Sequence, residues 1–451
     1  MSPSSPRPFW QTFLLFLLPL MAANILQSLS GTINNIFLGQ MIGVRALAAA
    51  SVFFPIMFLF ISFLIGISAG ASVLIGQAHG ARDHDKVQAV TGTTLTVALV
   101  GGVIIGTLAS IFAGRLMSLL GTPADIYDDA VRFAQISFLS MPVMFTFFIA
   151  SSVLRGVGDT VTPLYSLIVS TIISAALTPS LIMGWGPFPE LGIVAPAVAG
   201  MIAFAVSLVA LAFYLRITKH PMAPDAALAR HLMPDMSILA RVLRLGVPTG
   251  IQMITGALAG IVIIGLVNKF GSDATAAYGA VNQVLSYVQF PAISIAIAAS
   301  IFGAQKIGAG KMDELRMVTR TALLMNLFLT GGLVLIVYLA SDFIIRLFIT
   351  DPDIIILSER LLHIVTWSSI LFGAGAVIAG IMRASGTVIV PMLISIFAIV
   401  AIELPVAIFL SQRIGITGIW WGFVASFTAV LIMQFAYYWL VWRKREIKAL
   451  V

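Results

Sequence analysis

The sequence contains no cysteine and very few charged residues. The absence of cysteine excludes disulfide bonds, thiolate metal sites and cysteine nucleophiles. Charged side chains make up only 10% of the 451 residues, whereas soluble domains carry roughly 25%. Hydrophobic residues make up 60%, which is more apolar surface than a soluble core of this length can bury. The composition therefore excludes an ordinary soluble domain.

The apolar residues lie in continuous runs that are long enough to cross a bilayer. A spanning helix needs about 20 mainly apolar residues, and runs without alternation indicate helices rather than a barrel. We therefore predict an all-α polytopic membrane protein with about twelve transmembrane helices. No small-residue cleavage site follows the first run, so it is expected to be a retained span. The predicted spans are residues 13–38, 47–77, 88–114, 131–154, 161–184, 192–215, 245–268, 274–304, 317–341, 359–382, 388–411 and 416–442.

One polar stretch separates the first six spans from the last six. It predicts an N-terminal lobe of residues 1–215, a linker of residues 216–244 and a C-terminal lobe of residues 245–451. The loops on the side of both termini carry 18 of the 25 basic residues, and the opposite loops carry 7. Because cytoplasmic loops are enriched in Lys and Arg, both termini and the linker are predicted to be cytoplasmic. The net charge of +7 is dispersed over short loops, so no nucleic-acid partner is expected.

The two halves repeat each other at a fixed offset of 228 positions. Low-complexity apolar sequence produces chance Leu and Ala matches, but matched Gln, Arg, Pro and Gly in one register indicate duplication. Each copy has six spans, an even number, so both copies have the same orientation and form two pseudo-symmetric six-helix lobes. The matched pairs are Gly43 and Gly271, Gln77 and Gln305, Gly80 and Gly308, Arg132 and Arg360, Arg155 and Arg383, Gly158 and Gly386, and Pro163 and Pro391.

The repeated segments also resemble the multidrug and toxic compound extrusion (MATE) family. "GISAGASVLIGQAHGARD" at residues 66–83 is similar to the family's second-helix end, and "LRGVGDTVTP" at residues 154–163 is similar to its fourth-to-fifth loop. "FGAQKIGAGK" at residues 302–311 and "MRASGTVIVP" at residues 382–391 repeat them in the second half. The resemblance covers residues 19–438, nearly the whole chain.

The resemblance implies a secondary-active antiporter that works by alternating access. Two six-helix lobes would flank a central cavity, and organic compounds, cationic drugs among them, would be exported in exchange for protons or sodium ions. It further implies a monomer in the plasma membrane, the bacterial inner membrane, with the bilayer and small organic substrates as partners. The expected cofactor is none beyond the coupling ion, H⁺ or Na⁺.

The sequence departs from the family at the positions of its coupling carboxylates. Many members carry an aspartate in the first helix where this chain has Asn34. The acidic residue of the seventh helix aligns near Thr255 and Gly256, and the aspartate of the tenth helix aligns near Phe372. These family residues therefore cannot be transferred to this chain.

Glu403 is the one acidic residue that lies clearly inside a predicted span. An ionisable group at that depth is costly unless it is protonated, paired or facing water, so ion coupling is its first interpretation. The alternative is a protonated Glu that bonds a neighbouring helix. Pro405 adds interest, because proline removes a backbone hydrogen bond and frees carbonyl acceptors nearby.

Amide side chains form a second set of candidates for substrate or cation binding. They could line a cavity, or they could form the interhelical hydrogen bonds that are common for Asn and Gln in membranes. Arg155 and Arg383 end spans at the predicted cytoplasmic face, where an anchoring role is favoured over a catalytic one. The amide candidates are Gln27, Asn34 and Asn35 in the first span and Asn282, Gln283 and Gln289 in the eighth.

Three other functions fit the sequence less well than the antiporter does. A lipid-linked saccharide flippase of the same superfamily would favour cationic residues deep in the spans, and the sequence shows none. A membrane-embedded enzyme would need clustered acids, a His/Asp metal constellation or a long catalytic loop, which are lacking, so no catalytic and no metal residues are predicted. A channel is disfavoured by the duplicated pattern with its many prolines.

Overall fold

The structure is a computed structural model that describes residues 8–450. Within this range the regular elements are all helices, and no strand occurs. Twelve long helices, numbered here α1–α12, follow one another along the chain. Their bounds are Phe9–Ile42 (α1), Val44–Gly80 (α2), His84–Ile111 (α3), Tyr127–Leu139 with Met141–Gly156 (α4), Val161–Met183 (α5), Gly192–Ile217 (α6), Met236–Phe270 (α7), Ser272–Gly308 (α8), Glu314–Leu339 (α9), Pro352–Ala384 (α10), Ile389–Ile414 (α11) and Ile416–Lys444 (α12).

The length and apolarity of these helices confirm the predicted all-α membrane fold. Eleven of them in the described range are long and apolar enough to cross a bilayer. The twelfth, α4, is bent by 47° between its two parts at Ser140. Pro142 lies at the start of its second part and cannot donate a backbone hydrogen bond, which explains why the break falls there.

The chain divides into two compact units. We call residues 18–79 and 83–246 the N-terminal unit, and residues 8–17, 80–82 and 247–450 the C-terminal unit. The predicted lobe boundaries, 1–215 and 245–451, stay a prediction, as does the linker between them.

The polar stretch between α6 and α7 is partly helical. It contains the short helix Ala226–Arg230, and α7 begins at Met236, inside the predicted linker. Asp235 explains this start, because its Oδ1 accepts hydrogen bonds from the backbone N–H groups of Ser237 and Ile238 at 2.7 and 3.3 Å. A hydrogen bond from the Ser237 hydroxyl, together with these two backbone bonds, holds the pKa of the Asp235 carboxyl below its usual value. Because the first turns of α7 are polar, the hydropathy of the sequence predicts a later start for this span, at residue 245.

The core of the C-terminal unit is an apolar cluster shared by α8, α10 and α12. Trp420 is fully buried in it, with its ring 5.2 Å from the ring of Tyr278. Small residues bring the helices together: a Cβ on Gly380 would lie 2.6 Å from the carbonyl oxygen of Ala296. Close helix approach through small residues is typical of membrane proteins.

Three spans contain a π-helical turn. These turns are Leu38–Ile42 in α1, Asn326–Thr330 in α9 and Ala398–Glu403 in α11. Such turns widen the helix and interrupt the regular backbone bonding, and they occur frequently at functional sites. The third one ends on the carboxylate that the sequence singles out.

Candidate functional site

Glu403 closes the π-helical turn of α11, directly before the α-helical segment Leu404–Ile414. Pro405 has no N–H to donate to the carbonyl of Ala401, one turn back, so a regular α-helix cannot continue through this point. The side chain points into the C-terminal unit and is only 6% exposed. The local sequence therefore places a buried carboxyl beside an irregular stretch of backbone.

Two polar side chains from other helices lie near the carboxyl of Glu403. The hydroxyl of Ser426 in α12, itself buried, hydrogen-bonds the carboxyl. Tyr278 in α8 lies within electrostatic reach of it. None of the ion pairs within residues 8–450 involves Glu403. A buried carboxyl with hydroxyl neighbours and no counter-ion can exchange a proton or contribute oxygen ligands to a cation.

Gly422 allows α12 to approach this part of α11. A Cβ at position 422 would lie 2.9 Å from the carbonyl oxygen of Glu403 and 2.8 Å from the Cβ of Ala407. Gly422 is one turn before Ser426 on the same helix. The glycine therefore sets the spacing at which Ser426 reaches the carboxyl.

Asn34 has a hydrogen-bond partner in another helix of the N-terminal unit. Its Oδ1 accepts a hydrogen bond from the hydroxyl of Thr178 in α5 at 3.3 Å, and Thr178 is fully buried. The contact is the interhelical bond that the sequence offered as an alternative to a cavity role. Asn34 itself is half-buried, so one face of the amide stays open.

The other amides of α1 lie along one exposed face. Gln27 and Asn35 are exposed and separated by eight residues, with the exposed Gly31 midway between them. Positions four residues apart share one helix face. Amides on a lipid-facing surface would be costly, so this face indicates contact with water or polar groups rather than with lipid.

The eighth span shows the same arrangement in the C-terminal unit. Asn282 and Gln283 are exposed and Gln289 is half-buried, while the buried face carries Val281 and Leu285. The backbone carbonyl of Asn282 accepts a hydrogen bond from the hydroxyl of Ser286, one turn further along the helix, at 2.9 Å. The structure thus leaves Asn282 and Gln283 exposed on α8, whereas the side chain of Glu403 is buried within electrostatic reach of Tyr278 on the same helix.

The repeated Arg and Gly residues form matching helix ends. Arg155 and Arg383 lie in the last turns of α4 and α10. Gly158 and Gly386 follow with positive φ angles of 100° and 86°, a left-handed region that favours glycine. The N–H groups after these glycines donate to carbonyls five residues earlier, Asp159 to Leu154 at 2.9 Å and Thr387 to Met382 at 3.1 Å. These are Schellman caps, which explain why the motif needs glycine there.

The repeated Gln and Gly residues lie at the ends of α2 and α8. Gln77 is fully buried and Gln305 is half-buried. A Cβ on Gly80 would lie 2.8 Å from the carbonyl carbon of Gln305, so only glycine fits there. Gly308 ends α8, and the following turn begins with a bond from the N–H of Ala309 to the carbonyl of Gln305 at 3.0 Å.

Sequence reasoning missed several polar residues that interact between helices in the structure, two of them beside Glu403. Ser426 hydrogen-bonds the Glu403 carboxyl and Tyr278 lies within electrostatic reach of it. Asn326 in the π-helical turn of α9 donates to the carbonyl of Ile370 at 2.9 Å. Gln252 of α7 donates to the hydroxyl of Ser395 in α11 at 2.9 Å. Single Ser, Tyr, Asn and Gln residues within apolar runs carry no pattern, so no sequence signal separates these from lipid-facing ones.

No acidic or histidine cluster accompanies Glu403 in the described range. Among residues 8–450, no group of three or more His, Asp or Glu side chains lies close enough together to hold a metal ion.

Comparisons with known proteins agree with the repeat and with the fold. The MatE family model matches the chain twice, at residues 19–180 and 248–409, once in each half. The chain is 45% identical over 444 residues to the "Probable multidrug resistance protein YoeA" of Bacillus subtilis, which covers 98% of this chain and 96% of the relative. It is 27% identical over 427 residues to the "Probable multidrug resistance protein YpnP" of the same organism, with 94% and 93% covered.

A solved structure shares the architecture. A crystal structure of a mutant of the Vibrio cholerae MATE transporter VcmN superposes with a TM-score of 0.88 at 19% identity, over 97% of this chain and 98% of that one. The similarity at this identity supports the fold, and the two family matches support the duplication. The chain therefore belongs to the MATE family, whose members are not enzymes but membrane transporters that export compounds.

Proposed function

We propose that this protein is a secondary-active antiporter that exports organic compounds in exchange for protons or sodium ions, with Glu403 as the coupling group. The proposal rests on one observation: a carboxyl 6% exposed, in a π-helical turn of a spanning helix, with Ser426 and Tyr278 as its polar neighbours. An uncompensated charge at such a site is costly. The site therefore favours states in which the carboxyl has bound a cation.

Cation binding at Glu403 would couple the ion to the transport cycle through differential affinity. A ligand shifts a two-state equilibrium only if it binds one state more tightly than the other. A proton would neutralise the carboxyl directly. A sodium ion would use the carboxylate with the Ser426 hydroxyl and backbone carbonyls of the π-helical turn as hard oxygen ligands.

The test is gradient-driven efflux from vesicles reconstituted with the full chain, comparing wild type with Glu403→Gln. The amide keeps the size and the hydrogen-bonding capacity of the side chain but cannot ionise. One series imposes a pH gradient at constant sodium, and the other imposes a sodium gradient at constant pH. Glu446→Gln is the matched control, because it makes the same chemical change at an exposed position near the C-terminus.

Loss of gradient-driven efflux in Glu403→Gln, with Glu446→Gln unaffected, is the expected result. The series in which wild-type efflux responds identifies the ion. If Glu403→Gln kept the full gradient dependence at matched protein levels, Glu403 would be a structural residue. The search for the coupling group would then move to Asn34 and Asn35.

We also propose that both termini and the segment between α6 and α7 are cytoplasmic. The chain has no native cysteine, so single cysteines report accessibility directly. Met233 and Leu119 are 86% and 83% exposed and fall on opposite sides of the predicted topology. In intact cells, an impermeant thiol reagent should label Leu119→Cys and leave Met233→Cys unlabelled, and the reverse pattern would invert the orientation.

A further inference from the structure

The C-terminal unit contains a basic cavity that the proposed transport mechanism does not use. The cavity has a volume of about 530 Å³ and is lined by residues 80–82 and by most of the segment 305–311. These residues include the repeated Gly80, Gln305 and Gly308. By the charge count of the loops, the cavity opens on the predicted cytoplasmic side.

Three cationic side chains surround the cavity. Arg82, Lys306 and Lys311 line it, and both lysines contact one carboxylate, that of Glu314, with Lys311 Nζ at 3.2 Å from Oε1. None of the ion pairs within residues 8–450 includes the exposed Arg82. Glu314 therefore offsets the charge of the two lysines only in part, and with Arg82 the cavity keeps an excess of positive charge.

The simplest explanation of these cations is compensation of the two helix ends that meet here, because helix C-termini attract positive charge. The backbone already satisfies many of those carbonyls, however. The N–H of Asp83 donates to Ala78, and those of Ala309 and Lys311 donate to Gln305 and Lys306, at 2.9 to 3.0 Å. The guanidinium and ammonium groups are therefore not needed as hydrogen-bond donors to these terminal carbonyls.

Arg82 is held in a costly backbone conformation. Its φ angle is +58°, in the left-handed region where side chains other than glycine are disfavoured. Such strain is concentrated at functional sites, where the surrounding structure maintains it. Gly80, two residues before, permits the contact with the backbone of Gln305 that brings Arg82 and the lysines to one cavity.

A half-buried aromatic ring adjoins the basic lining. The Lys306 ammonium lies 5.8 Å from the centroid of the Phe9 ring, and Phe9 packs on Phe302 with ring centroids 5.4 Å apart. Phe13 stacks on Phe302 at the same distance. Phe13 and Phe302 are buried, so Phe9 is the one of these three rings that can contact the apolar part of a ligand held by the cations.

We propose that this cavity binds the phosphate group of an anionic ligand. Guanidinium and ammonium groups are the side chains that recognise phosphate oxygens, and basic pockets at the cytoplasmic ends of spanning helices bind anionic lipid headgroups. The phosphate can come from a phospholipid of the inner leaflet or from a soluble phosphate compound. The inference stands independently of Glu403 and of the coupling ion.

The experiment measures thermal unfolding of the full chain in a nonionic detergent during titration with three probes. The probes are phosphatidylglycerol, phosphatidylcholine as the zwitterionic lipid control, and inorganic phosphate. The test variants are Arg82→Gln with Lys311→Gln, which removes two exposed cations, and Ala81→Glu, which adds a carboxylate to the lining without removing a contact. Lys444→Gln with Lys448→Gln is the control, because it removes the same charge from exposed positions on the same predicted face.

Phosphatidylglycerol should stabilise wild type and the control at similar concentrations, and phosphatidylcholine should not. For the same stabilisation, the double variant should need a phosphatidylglycerol concentration roughly 30-fold higher, because it lacks the contributions of two cations to binding an anionic headgroup. Ala81→Glu should also respond weakly. Stabilisation by inorganic phosphate with the same variant pattern would identify a soluble ligand. The proposal is overturned if neither phosphate source stabilises wild type, or if the control loses the response as much as the double variant does.

Discussion

The fifth and eleventh spans occupy equivalent positions in the two repeats, yet they carry different chemistry. In α5, Val161–Met183 is a continuous α-helix with Pro179 inside it, and Thr178 bonds the neutral Asn34. In α11, a π-helical turn precedes Pro405 and ends on Glu403. At the repeat offset, Glu403 corresponds to Ala175. The comparison shows that the two copies share the same arrangement of helices although only the second copy carries an ionisable group at this position.

The largest predicted effect is on the rate of gradient-driven efflux, which should differ between variants of Glu403 and of Asn34. Glu403→Gln should reduce gradient-driven efflux to the level of protein-free vesicles, because no other buried carboxylate accompanies it in the described residues. Asn34→Ala should slow efflux only about threefold, since an interhelical hydrogen bond in a membrane is worth about 0.6 kcal/mol on average. Equal losses in the two variants would break the comparison and make Asn34 part of the coupling site.

The next effect concerns the close approach of α12 to α11. Gly422→Ala should lower the free energy of unfolding by about 1–3 kcal/mol, because the new methyl group would overlap Ala407 and the Glu403 carbonyl. The control is Gly260→Ala in α7, where nothing lies within 4 Å of the new Cβ. Denaturant titration in detergent micelles should show a loss for Gly422→Ala and none for Gly260→Ala.

A smaller effect is expected for the hydrogen bond in the N-terminal unit. Thr178→Val removes the donor to Asn34 and keeps the shape of the side chain, so unfolding free energy should fall by about 0.6 kcal/mol. A double-mutant cycle with Asn34→Ala isolates the pair. A coupling energy of zero would show that Asn34 does not depend on Thr178, which would favour a cavity role for its amide.

The smallest effect is the loss of stability on removing an N-cap, and it should differ between α3 and α9, which are equivalent helices of the two repeats. Asp83 caps α3 by accepting from the backbone N–H of Lys86 at 3.0 Å, whereas Asp313 makes no side-chain cap bond to α9. Asp83→Ala should cost about 0.5 kcal/mol, at the low end for exposed caps, and Asp313→Ala should have no measurable effect. Thermal unfolding of both variants beside wild type checks this difference.

The pH dependence of the Asp83 cap has a defined sign. The backbone N–H of Lys86 is the main cause that lowers the pKa of the Asp83 carboxyl. A lowered pKa means that the folded state favours the ionised form, so the contribution is present at neutral pH and is lost as pH falls through the folded pKa. Asp83→Asn should keep most of the cap at every pH, because Asn is an equally good N-cap residue.

Much of the fold could be predicted from the sequence because spanning helices obey simple rules. Length and apolarity of the runs predict the twelve spans to within a few residues of their bounds in the structure, except at the starts of α7 and α10, which lie earlier than predicted, and the repeat indicates the duplication. The start of α7 at Met236 could not be predicted this way, since polar first turns and a cap by Asp235 leave no apolar signal.

The candidate site could be predicted only in part. Glu403 stands out because a carboxylate in a spanning helix is rare. Its partners Ser426 and Tyr278 do not stand out, because Ser and Tyr occur throughout such helices without a periodic pattern. The amides of α1 and α8 were visible as residue types, but only burial separates the bonded Asn34 from the exposed Asn35.

The sequence by itself determined that this protein is a duplicated membrane protein of about twelve helices, because hydrophobic run lengths and the 228-residue register can be read along the chain without knowledge of any contact in space. The tertiary structure decided what the repeated motifs do. Gly158 and Gly386 close helices with positive φ, Gly80 admits the backbone of Gln305, and Arg82 meets Lys306 and Lys311 at one cavity. These outcomes depend on contacts between segments more than 200 residues apart or on backbone angles set by packing, and neither is written in local composition.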